Sequence, residues 1–146
     1  MMNYLAVLFA GVATVYDIKS RQIPNKLILC MLGTWILIIC IILISDINKV
    51  IATLIDSGFG LFLGGGIFIL VYLISRKGLG GGDVKFMAAA GLYLGLSSTV
   101  SSIFYGTILA ALTGIVLILL KKITRKDKMP LAPFLLIGII ITTFLT

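Results

Sequence analysis

The 146-residue sequence contains no histidine, and its five acidic residues are all aspartate, so glutamate is missing as well. Whole reaction classes fall away with these two residues. A Ser-His-Asp triad, a Cys-His pair and the H-E-x-x-H zinc site each need histidine to carry a proton or to bind metal. The Gly-rich run Gly78-Leu79-Gly80-Gly81-Gly82-Asp83-Val84-Lys85 lacks the Lys followed by Ser or Thr that a nucleotide-binding P-loop requires. No metal or other cofactor is expected. Cysteine is scarce too: Cys30 and Cys40 sit ten residues apart in one apolar segment, a spacing that fits neither a metal knuckle nor a disulfide, and they read as inert core thiols.

What is abundant is hydrocarbon. Hydrophobic residues make up 60% of the chain and charged ones only 12%, with a mean hydropathy of +1.23, which leaves too little polar surface for a soluble domain. The chain is expected in a bilayer. Its net charge of +7 is spread over short clusters between apolar runs and not along one aromatic-interleaved stripe, so anionic membrane lipid, not nucleic acid, is the expected partner of the basic residues.

Apolar runs bounded by charges and turn residues suggest six spans: Asn3 to Tyr16, Leu27 to Ile44, Val50 to Ile74, Val84 to Leu96, Val100 to Leu120 and Leu131 to Leu145. The first, fourth and sixth are short against the about 20 residues of a full crossing. No basic residue precedes the first run and no small-x-small site precedes Asp17, so it is read as a span and not as a cleaved signal. Lys19, Arg21 and Lys26, then Arg76, Lys77 and Lys85, then Lys121, Lys122, Arg125, Lys126 and Lys128 fall on one side, and only Lys49 on the other. Positive charge in short loops accumulates in the cytoplasm. Loops 17–26, 75–83 and 121–130 are therefore predicted inside and both termini outside. The fold class is all-α, a polytopic membrane protein with six transmembrane helices and a single membrane-embedded domain over 1–146, because only helices satisfy every backbone group within one lipid-exposed segment. Gly60 and Gly64, and Gly91 and Gly95, are spaced to let helices approach closely.

This topology sorts the five aspartates. Asp46 and Asp56 belong to the outer side, and Asp127 lies among Arg125, Lys126 and Lys128, where a solvated, salt-bridged loop is the natural reading. Asp17 closes the first span and Asp83 opens the fourth, at a similar depth. Each has a plain structural explanation: Asp83 as the N-cap of a helix, Asp17 as an interfacial partner of Lys19 or Arg21. Jointly they allow another. Two carboxylates sharing a proton can hydrolyse a peptide bond without metal or covalent nucleophile, one ionised to activate water and the other protonated to polarise the carbonyl. Gly80, Gly81 and Gly82 leave room for an extended chain beside Asp83. Which aspartate takes which role belongs to the coupled pair and is not readable from sequence.

The stretches Asp17-Ile18-Lys19-Ser20-Arg21-Gln22-Ile23-Pro24-Asn25 and Gly80-Gly81-Gly82-Asp83-Val84-Lys85 resemble the two signature segments of type IV prepilin peptidases, membrane aspartic proteases of the G-x-G-D class. Pro130-Leu131-Ala132-Pro133-Phe134 is similar to that family's Pro-rich lead-in to its last helix. The resemblance implies that Asp17 and Asp83 are catalytic, that Gly80 and Gly82 shape the site, and that Lys85, Pro24 and Asn25 support it. Lys85 would tune a carboxylate or bind lipid phosphate; Pro24 and Asn25 also fit the start of the second span. It further implies an endopeptidase in a prokaryotic cell membrane that cleaves leaders from prepilin-like precursors at the cytoplasmic face. Larger family members carry a cytoplasmic insertion with paired C-x-x-C motifs and also N-methylate the product. This chain has no such motifs and resembles the compact peptidases of tight-adherence pilus and archaeal systems, so the resemblance does not extend to methylation, and N-methyltransferase activity is not readable from sequence. A small proton-coupled transporter would explain the carboxylates without the two motifs, and a non-catalytic pilus-assembly subunit would explain only the hydrophobicity.

Overall fold

A computed structural model describes residues 2–20, 22–74, 80–121 and 131–145, which form five helices and no strand. These are α1 Met2–Ser20, α2 Asn25–Ser45, α3 Ile47–Ile74, α4 Gly81–Leu119 and α5 Ala132–Leu145. Helices α2, α3 and α4 are each long and apolar enough to cross a bilayer, and α5 is apolar but has 14 residues. The chain is an all-α membrane protein. Arg21, Arg76, Lys77, Lys122, Arg125, Lys126, Asp127, Lys128 and Pro130, on which much of the expected topology rests, lie outside the described residues.

Five helices replace the expected six because the fourth and fifth spans are joined in α4, whose only non-helical residue is Gly95 at φ 71°, ψ −176°. Hydropathy put the boundary after Leu96; the backbone puts it at Gly95. A straight 39-residue helix would run about 58 Å, twice the hydrocarbon thickness. Instead α4 doubles back. A Cβ on Gly64 of α3 would lie 2.6 Å from the Met87 carbonyl oxygen and 3.3 Å from Thr99 Cγ2, two residues that a straight helix would hold about 18 Å apart.

Both arms of α4 pack on small residues. Gly60 of α3 lies against Gly91 and Gly95, and Gly65 against Ala88, so α3 runs antiparallel to the first arm at a distance only glycine permits. Gly106 in the second arm meets Phe134 and Leu135, and Gly138 of α5 meets Ser102. On α1, Ala6, Ala10 and Ala13 are fully buried and form one helical stripe. The large apolar side chains Leu29, Ile36, Leu37 and Ile41 of α2 face outward, as lipid contact requires. Cys30 and Cys40 share that exposed surface and are free thiols, not the core residues expected from sequence: α2 buries few of its side chains.

Candidate active site

Asp17 reaches the interior because it continues the alanine stripe of α1. The buried set Ala6, Ala10, Ala13, Thr14 and Asp17 repeats at helical spacing, and 11 residues from Ala6 to Asp17 return to nearly the same face after three turns. Packing of the small side chains therefore carries the carboxylate inward, where it is 6% exposed. There its Oδ2 accepts a hydrogen bond from the backbone N–H of Ala132, the first residue of α5, at 3.1 Å. That partner was not anticipated from sequence. The alternative partner Lys19 makes no ion pair among the described residues, where the ion pair is Lys49 with Asp46, and Arg21 lies outside them.

Asp83, 8% exposed, sits in the first turn of α4, but it is not the N-cap. Gly80 holds that position, with φ −74° and ψ 137°, and Asp83 N–H bonds to the Gly80 carbonyl at 3.1 Å. The Asp83 carboxylate reaches back to accept from the Gly80 backbone, one half of a capping box, the glycine having no side chain to supply the other. The three glycines have different duties. A Cβ at Gly80 would lie 3.0 Å from Asp83 Oδ2, and one at Gly82 would lie 3.2 Å from Ile23 Cβ, whereas one at Gly81 would meet nothing. Gly82 thus seats the start of α4 directly on Ile23, in the link between α1 and α2, and brings the second motif onto the first.

The two motifs enclose one cavity of about 350 Å³, lined by Asp17, Gln22, Ile23 and Asn25 from the first and by Gly80 to Asp83 and Lys85 from the second. Both carboxylates face it, close enough for the charge of one to act on the other. Lys85 Nζ donates to Asn25 Oδ1 at 3.2 Å, tying the first turns of α4 and α2 together across the rim. Pro24 is the N-cap of α2 and Asn25 its first residue, one position earlier for the proline than a first-turn placement. Gln22 lines the cavity without having been singled out; its place between the two motif ends was the available signal. Among the described residues no three Asp or Cys side chains come together as a metal cage would need. Asp46 caps α3, accepting from Asn48 N–H at 2.9 Å, well away from the cavity lining.

The chain matches the model of the type IV leader peptidase family over residues 4–119. It is 28% identical over 131 residues to a prepilin leader peptidase/N-methyltransferase of Bacillus subtilis strain 168, an alignment covering 89% of this chain and 50% of that protein. The chain thus spans about half the length of the curated relative it matches. No solved structure matches it.

Proposed function

Because the chain belongs to the type IV leader peptidase family, we propose that it is a membrane aspartic endopeptidase in which Asp17 and Asp83 hydrolyse the leader of a prepilin-like precursor at the cytoplasmic face. The observation that carries this reading is the convergence of Asp17 and Asp83, 66 positions apart in sequence, on a single cavity that no other described aspartate lines. One ionised carboxylate takes a proton from water as its oxygen adds to the scissile carbonyl, and the other, protonated, hydrogen-bonds to the carbonyl oxygen. Collapse of the tetrahedral intermediate breaks the C–N bond, and a carboxyl proton goes to the leaving amine. Gly80 and Gly82 hold Asp83 and its helix in place, and the open side of Gly81 suits an extended substrate backbone.

In this reading α1, α2, α3, the two arms of α4 and α5 make six crossings, the short ones accommodated by local thinning. The basic residues of the loops then face the cytoplasm, and the substrate's own helix stays in the bilayer. The test is conversion of a pilin precursor to its shorter form in membranes holding equal amounts of parent, Asp17→Asn and Asp83→Asn protein. The parent should cleave and both variants should be inactive; substantial cleavage by either variant would remove the assignment.

A further inference from the structure

The family match ends at residue 119, yet the hydrogen bond on Asp17 comes from beyond it, at the start of α5. The first turn of that helix is built so that one N–H is available. Leu131 is the capping residue, its carbonyl accepting from Phe134 N–H at 3.1 Å and from Leu135 N–H at 3.2 Å. Pro133 has no N–H to offer. Ala132 N–H remains, one of the orphan donors of a helix N-terminus, and it is aimed at Asp17 Oδ2 in a buried setting where Ala132 itself is fully covered. The seat is rigid: Leu135 and Ile139 are fully buried, and Gly138 and Gly106 let α5 pack closely on the second arm of α4.

We propose that the backbone N–H of Ala132 is a positioning group for the reaction, and that α5 is therefore part of the catalytic apparatus and not only a membrane anchor. Held at Oδ2, the Asp17 carboxylate cannot turn about its terminal bond, and its second oxygen keeps a fixed place beside the cavity it shares with Asp83. This rests on the peptidase reading above for its consequence on turnover, but the contact itself is testable without a substrate.

Ala132→Pro removes the N–H and puts the ring Cδ in its place, against Asp17 Oδ2. Ala132 is the first helical residue, where proline is favoured, and residues at the capping position commonly take the extended backbone that a following proline demands. The expected result is a fall in kcat of about tenfold to a hundredfold with KM unchanged, while Ala132→Gly, which keeps the donor, retains most of the parental turnover. In protein labelled with 13C-aspartate, the Asp17 carboxylate infrared band, isolated by subtracting the spectrum of Asp17→Asn, should move in Ala132→Pro and stay put in Ala132→Gly. Lactic acid incorporated at position 132 replaces the amide by an ester and removes the same donor without a ring; it should reproduce both the loss of kcat and the moved band, which separates the donor from crowding by the proline ring. An unmoved band or a parental kcat in the protein lacking the donor overturns the proposal. A parent that cleaves no pilin precursor while the band still moves removes the peptidase reading and leaves the contact standing.

Discussion

Leu96 donates its backbone N–H to Asp56 Oδ1 at 3.0 Å, in place of the Leu92 carbonyl that an unbroken helix would offer it. The Leu92 carbonyl in turn accepts from Ser57 Oγ at 2.6 Å and Trp35 Nε1 at 3.1 Å. One N–H and one carbonyl separated at Gly95 are thus satisfied by side chains from α3 and α2, which is what a break inside a bilayer requires. The same neighbourhood is tied further by Tyr93, whose hydroxyl bonds to the Met31 carbonyl and to Thr34 Oγ1. The break orients the first arm of α4, and that arm carries Asp83.

The capped break predicts a graded loss of stability. Asp56→Ala removes the acceptor and should cost about 1 kcal/mol, as for other lost helix caps, lowering the melting temperature in detergent by about 2–4 °C. Asp56→Asn keeps an acceptor oxygen and should melt close to the parent. Gly95→Ala should be worse than either, because φ 71° with ψ −176° is open almost only to glycine and a Cβ there would run into the Asp56 carboxylate. Equal melting of Gly95→Ala and the parent would contradict the hairpin.

Sequence reading reached the two motifs and, to within a residue, the boundary between the arms of α4, but not how that boundary is built, and the reason is physical. Asp17 announces itself locally: it falls in register with Ala6, Ala10 and Ala13, so helical periodicity alone turns it inward. The roles of Gly80 and Gly82 are also close at hand, since the residues they accommodate are Asp83 and Ile23 of the two motifs. Gly95 is different. Hydropathy placed the boundary one residue later and gave Gly95 no role that Gly91 lacks; what caps the break is an acceptor 40 residues from Leu96, Asp56, which the sequence reading placed among bystanders. Ala132 on Asp17 spans 115 residues and uses a backbone N–H, which no side-chain pattern advertises.

The three glycines before Asp83 should respond unequally. Gly81→Ala places its methyl in open space and should cleave a pilin precursor at close to the parental rate unless the substrate itself needs that room, in which case KM rises and kcat holds. Gly82→Ala pushes α4 off Ile23, and Gly80→Ala crowds Asp83 Oδ2; each should lower kcat by about tenfold or more through misplacement of the carboxylate. Equal losses at all three positions would contradict the geometry.

Lys85 and Asn25 form one hydrogen bond across the cavity rim, so their substitutions should not add. Lys85→Met and Asn25→Ala are each expected to slow cleavage several-fold, and the double variant should be little slower than the worse single. Multiplication of the two losses would show that the residues act separately, for example with Lys85 meeting lipid phosphate.

A reporter fused after Lys126 should read cytoplasmic, and one fused after Thr146 should read external. The opposite pair of results would place the cavity of Asp17 and Asp83 on the outer face, and the model of cleavage at the cytoplasmic face could not survive it.

The dyad itself makes the strictest prediction. Asp17→Asn and Asp83→Asn keep size and much of the hydrogen bonding, including an oxygen that can still accept from Ala132, but neither can share or shuttle a proton. If the two carboxylates act as one unit on a single water, removing the second after the first has little left to remove, so the double variant should be scarcely slower than either single. Asp46→Asn, at the cap of α3, should cleave at close to the parental rate and controls for loss of negative charge. The comparison needs residual rates, measured as precursor conversion over long incubations with equal amounts of each variant in membranes. Losses that multiply in the double variant would mean that Asp17 and Asp83 contribute independently, and the shared-proton mechanism would have to be given up even with both residues essential.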